Sequence, residues 1–320
     1  MITTSTRHER AHARHSTGLL LVCLAGVLWG TGGLTVTFLH DHSGMGALAA
    51  SGWRMAIAAA GLIALAGVTG RLTPIRHGLH ATPAPLVALG LCTATYQGLY
   101  FLAVLQVGVA VSTVVALGLA PLLVSGWEHA RRRSLPSPGE LAVLAAALAG
   151  LVLVSTASGH AGGPRPALGV ALSACCAGMY AATTILGRRL ARDTEPLALT
   201  TATTTVGAVV LLPFVLRDDS SRQLELASWG AVVYLGLMTM ALAYYLLYAG
   251  LRTVSSSSAT VATLIEPVTA AALAVVLLGE RLTGAALVGG ALVLAAVAGL
   301  TRATPEQVDP APGGLPLRSG

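Results

Sequence analysis

The sequence predicts an all-α integral membrane protein, with ten transmembrane helices arranged as two inverted repeats of five. Three observations carry that prediction. Apolar residues make up 54% of the chain and charged residues only 10%. A soluble globular domain carries roughly 25% charged residues, so most of this surface cannot face water. The apolar residues gather into ten runs, most of them long enough for the ~20 residues a spanning helix needs. Short features of the first five runs also recur in the second five.

Taken in order, residues 1–16 hold Arg7, Arg10, Arg14 and three histidines and read as a cytoplasmic tail. The first run, Thr17–Leu39, exceeds the roughly 7–15 apolar residues of a signal peptide and reads as a retained span. Eight further runs follow at Met45–Val68, Ala84–Leu105, Val107–Trp127, Leu141–Thr156, Ala167–Leu186, Pro196–Leu216, Ala227–Leu251 and Val254–Leu278. Ala285–Leu300 is the tenth; it and the fifth are short. Residues 158–166 form a linker between a first five-helix repeat over 17–157 and a second over 167–302. Residues 303–320 contain four prolines and little apolar material, which predicts a disordered cytoplasmic tail.

The arginines set the orientation. With the N-terminus inside, the inner segments hold fourteen of them and the outer loops four (Arg165, Arg217, Arg222, Arg281), with Arg54 left inside a helix. The positive-inside rule then places both termini in the cytoplasm. Nine or eleven spans would scramble this bias, so the count and the charges support one another.

The internal repeat is read from two matches. Ala116-Leu-Gly-Leu-Ala-Pro121 in the fourth run corresponds to Ala262-Thr-Leu-Ile-Glu-Pro267 in the ninth. Tyr96 and Tyr100 in the third recur as Tyr244 and Tyr248 in the eighth. Five spans per half is an odd number, so the second half must enter the membrane inverted. Inverted repeats with proline-interrupted helices at matching positions point to a transporter whose site lies at the midplane, and Pro121 and Pro267 are the expected helix bends.

Other classes find little support. The four cysteines lie inside apolar runs with no ligand spacing, which argues for packing and against a disulfide framework or a metal site. His40-Asp41-His42 stands at an outer loop, where three adjacent residues cannot easily converge on one ion. The basic balance is spread singly or in threes between apolar runs, so no nucleic-acid partner is expected. Nucleotide-binding signatures are lacking and no cofactor is expected. An integral membrane enzyme acting on lipid-borne substrates would need clustered carboxylates or histidines at one face, and the only acidic pair is Asp218-Asp219.

Leu28-Trp29-Gly30-Thr31, the Glu266-Pro267 pair and Gly279-Glu280-Arg281-Leu282-Thr283, together with two halves of five helices, resemble the EamA family of the drug/metabolite transporter superfamily. The likeness covers roughly residues 17–302. In the first half, Arg133-Ser134-Leu135-Pro136 stands where a second Gly-Glu-Arg-Leu would fall. The resemblance implies an inner-membrane carrier, usually an exporter of amino acids, related metabolites or drugs.

A carrier needs a polar cavity, and the candidates for lining one are few. Residues four apart share a helix face, so Tyr96 and Tyr100 form one stripe with Gln97 beside it, and Tyr244 and Tyr248 form another beside Tyr245. Tyr180 and Trp29 join them as lining candidates. Phenol rings supply an apolar wall and a hydroxyl, which suits amphipathic organic substrates. Glu266 is expensive at the bilayer centre, and reads as a proton-coupling carboxylate, a partner for a substrate amine, or half of an ion pair with Arg54. Arg54 could grip a substrate carboxylate or brace neighbouring helices. The expected partners are a small-molecule substrate and lipid, with the chain a monomer or a homodimer.

Overall fold

Among the described residues, ten apolar helices pack as one bundle. The structure is a computed structural model that describes residues 2–72, 83–107, 109–157, 164–220, 224–278 and 284–302. We number the helices α1 (Ile2–Ser43), α2 (Ala47–Val68), α3 (Pro83–Val107), α4 (Val109–Arg132), α5 (Pro138–Ala157), α6 (Pro166–Ala191) and α7 (Pro196–Arg217). Then come α8 (Leu226–Leu251), α9 in two pieces (Ser256–Ala262 and Ile265–Leu278), and α10 (Gly284–Arg302). Among the described residues, nine have the length and apolarity to cross a bilayer, and α10 offers a shorter apolar stretch, Gly284–Leu300. A helix that short crosses by local thinning of the membrane or support from a neighbour.

Two expectations are refined here. The segment read as a tail is helical from Ile2, continuous with the first span. Once a long helix exists, each added residue gains a hydrogen bond without a new nucleation cost, so a polar extension propagates. The expected linker falls largely, and the turn Gly279–Thr283 and residues 303–320 entirely, outside the described residues.

The halves interlock across their symmetry. Helix α3 packs on α6 as α8 packs on α1, and α4 packs on α6 as α9 packs on α1. Helix α2 lies along α7 and α5 along α10, pairing each with its own repeat mate. Small residues permit these approaches, because lipid offers no hydrophobic drive for helices to associate. A Cβ on Gly150 would meet the Gly289 carbonyl at 2.5 Å, and one on Gly289 would meet that of Gly150 at 2.7 Å.

At the arginine-rich end, Glu128 of α4 accepts from the Ser256 backbone N–H (3.0 Å) and lies 3.8 Å from Arg188 of α6. The Arg188 Nε–H donates to the Val254 carbonyl at 2.9 Å. Three elements from both halves are thereby tied together. Ser137 and Glu140 form a reciprocal capping box at the start of α5. Ser255 caps α9 by accepting from the Ser258 N–H, which gives the serine run a structural task.

Candidate functional site

A group of polar and aromatic residues meets where α1, α2 and α3 of the first half face α6, α8 and α9 of the second. The hydroxyls of the repeat mates Tyr96 and Tyr244 hydrogen-bond to each other. Tyr96 also packs on Tyr180 with ring centres 5.4 Å apart and planes tilted by 58°, and Tyr244 meets Trp29 edge-on at 5.2 Å. The Tyr180 hydroxyl pairs with Thr263 (3.0 Å), Tyr100 with Thr113 (2.8 Å) and Tyr248 with Thr203 (3.2 Å). Five of the phenols named from the sequence therefore have hydroxyl partners, as buried hydroxyls require.

Tyr245 does not join them. It is 40% exposed and takes no part in the ring contacts and hydrogen bonds of the cluster described here. Tyr244 and Tyr248 share the buried face of α8, and one residue on, the helix has turned about 100° towards the outside.

Arg54 and Glu266 are the charged members. Arg54 projects from α2 and donates from Nη2 to the Thr239 hydroxyl at 3.0 Å, while its Nε–H has no partner among the described residues. The guanidinium is within electrostatic reach of Tyr96, Tyr244 and Glu266. The carboxylate in turn is felt by Tyr96, Tyr100 and Tyr180. Yet Arg54 and Glu266 form no ion pair among the described residues, and both are half-buried. Gln97 is buried, and its Nε2 has no partner among the described residues. Unmade polar contacts in an interior are costly, so the Arg54 and Gln97 donors beside the phenols are groups a polar ligand could satisfy.

The local backbone explains how these groups are aimed. Helix α9 breaks at Thr263 and Leu264, and resumes at Ile265, two residues before Pro267. Proline suits the first turn of a helix, where its missing N–H would have no intrahelical partner. The bend expected at Pro267 thus appears as a break one turn earlier, with the Thr263 carbonyl accepting from the Glu266 N–H at 3.0 Å. At Pro121, α4 runs on as one helix. Close packing also contributes. A Cβ on Gly30 would lie 2.6 Å from the Glu266 carbonyl, so α1 presses directly on the start of the second α9 piece.

One central residue escaped the sequence reading. Leu235–Leu242 of α8 is a π-helix, a wider turn often found at functional sites. At its middle, Thr239 accepts the Trp29 indole N–H on its carbonyl at 2.9 Å and Arg54 on its hydroxyl. The stretch Leu-Gly-Leu-Met-Thr-Met reads as plain apolar helix, so no periodic signal announces it. At the chain's periphery, His42 donates to the Phe38 carbonyl of its own helix.

Ten apolar helices among the described residues, in two halves with polar groups gathered between them, fit a membrane transporter. Comparison with known proteins makes the class specific. The EamA-like transporter family matches residues 16–156 and 167–302, one match per half, and the chain belongs to that family. It is 30% identical over 289 residues to the uncharacterized transporter YwfM of Bacillus subtilis strain 168, covering 90% of this chain and 95% of that one. The uncharacterized inner membrane transporter YicL of Salmonella typhimurium LT2 is 24% identical over 286 residues, 88% of this chain and 93% of that one. A crystal structure 23% identical superimposes with a TM-score of 0.74 over 90% of this chain and 99% of the other, and shares the fold.

Proposed function

We propose that the protein is a secondary carrier that exports or exchanges small metabolites, such as amino acids, related compounds or drugs, across the bacterial plasma membrane by alternating access. One arrangement carries the reading. Arg54 from the first half and Glu266 from the second lie within electrostatic reach of one another and of the same phenols, with no ion pair between them among the described residues. A substrate with an acidic and a basic group would complete both charges, and a desolvated site rewards such pairing more than water does. Its work is transport and not bond chemistry.

The distribution of arginines supports a cytoplasmic position for both termini. Glu266 is the candidate for proton coupling, since a carboxylate that can be neutralised by either a proton or a substrate cation makes their binding mutually exclusive. The same cavity would serve a facilitator or importer if the gradients ran the other way.

Reconstitution in proteoliposomes tests the proposal. The wild-type chain should exchange at least one labelled metabolite and accelerate under an imposed pH gradient. Glu266→Gln should keep exchange of a preloaded substrate and lose the acceleration. A full pH response in that variant would remove Glu266 from the coupling step.

A further inference from the structure

The π-helical stretch of α8 places Thr239 where three helices meet. Its hydroxyl donates to the Leu235 carbonyl at 2.7 Å, which commits the only hydroxyl proton and leaves the oxygen as an acceptor. Arg54 Nη2 fills that role at 3.0 Å. The Thr239 carbonyl takes the Trp29 indole N–H, so one fully buried residue fixes a cation from α2 and an aromatic wall from α1. A guanidinium has five N–H donors in a rigid plane. Holding one at a defined point fixes the orientation of the rest, whereas an arginine without such a hold would retain its side-chain freedom.

We propose that Thr239 is the positioning residue of this polar cluster: by anchoring Arg54 Nη2 it aims the remaining guanidinium N–H groups at the carboxylate of the substrate, and thereby sets selectivity for substrates that carry one. The planar fork of arginine matches two oxygens of a carboxylate, and the match depends on orientation in a way a point charge does not. The Nε–H of Arg54 has no protein partner described, so a donor remains for the ligand. This inference rests on the dipolar-substrate reading above and adds the residue that makes it selective.

The test uses the full chain in proteoliposomes with three probes of one shape: L-phenylalanine, its amide, which lacks the carboxylate, and 3-phenylpropionate, which lacks the ammonium. Thr239→Val keeps the branched shape and removes the hydroxyl; Thr239→Ser keeps the hydroxyl. Losing a hydrogen bond to a charged group weakens binding by about tenfold or more. In Thr239→Val the KM for the two carboxylate-bearing probes should therefore rise about tenfold, with the amide unchanged and Thr239→Ser close to wild type. A loss of maximal rate equal for all three probes would mean that Thr239 only supports the fold, and would overturn the inference. An unchanged KM for L-phenylalanine in Thr239→Val would overturn it as well. If the wild-type chain exchanges none of the three, the dipolar-substrate reading falls and takes this inference with it.

Discussion

Substituting Gly30 tests whether the bundle depends on close approach of α1 to α9. A Cβ there would lie 2.6 Å from the Glu266 carbonyl oxygen and 2.6 Å from Thr269 Cβ, where ordinary contact begins at 3.4 Å. Both obstacles are fixed to backbone, so neither can swing aside, and the helices must separate by about 0.8 Å. A gap of ~0.5–1 Å forfeits a quarter to a half of each dispersion contact along the seam. Overpacking of this kind costs about 1–3 kcal/mol, from which the better helix propensity of valine over glycine recovers only about 0.5 kcal/mol. Gly30→Val should therefore lose about 0.5–2.5 kcal/mol. At Gly32, one turn-half along the same helix, the nearest atom stands at 3.6 Å, and Gly32→Ala should be neutral or gain up to about 1 kcal/mol. Thermal unfolding of the two purified variants in detergent reads the difference as several degrees in Tm. Because Trp29 and Glu266 sit on the displaced helices, transport per folded molecule should fall in Gly30→Val as well. A Gly30→Val protein as stable and as active as wild type would refute the argument.

Three further outcomes follow from the packing. Tyr244→Phe removes the hydroxyl paired with Tyr96 and should cost about 0.5–1.5 kcal/mol of stability together with a measurable loss of transport; Tyr245→Phe, on the exposed face, should stay within about 0.5 kcal/mol of wild type. Glu128→Ala leaves the Ser256 N–H without its acceptor and Arg188 without its carboxylate, so Tm should fall by the equivalent of about 1–3 kcal/mol, while Glu128→Gln, which keeps an acceptor oxygen, should lose less. Gly289→Leu drives a side chain into the Gly150 carbonyl of α5 and should lower Tm at least as far as Gly30→Val, measured in the same assay.

Much of this architecture was legible from residue order. Ten apolar runs, an odd number per half, and the matches Tyr96 with Tyr244 and Pro121 with Pro267 give the inverted scaffold, because burial in lipid leaves a long and unmistakable apolar signal. Glu266 and Arg54 stood out for the complementary reason, that a charge in such a run is costly and needs an account. What escaped depends on contacts between helices far apart in sequence. Thr239 lies 185 residues from Arg54 and 210 from Trp29, and nothing local to its segment distinguishes it from a packing threonine. The break in α9 was misplaced by a turn because Pro267 marks the start of a helix and not its middle. Tyr245 was included because adjacency along the chain was read as adjacency in space, although neighbouring residues on a helix diverge by about 100°.

The Tyr96–Tyr244 hydrogen bond locates the symmetry of the molecule. Two residues that correspond under the repeat and touch each other must lie at the pseudo-two-fold axis. The phenol cluster is therefore central to both halves and belongs to neither. The charges are not shared in this way. At the mirror position of Glu266 stands Ala120, fully buried in a small cluster with Ala177 and Tyr180, so the carboxylate rides on the second half alone and faces a guanidinium supplied by the first. Neutralising Glu266, by a proton or by a bound cation, would change the attraction between the halves in a single place. The backbone there already presses on Gly30 of α1, which also carries Trp29. A symmetric scaffold gives two related packings; an asymmetric charge pair gives the ligand something to act on differently in each, which any ligand-driven shift between two states requires.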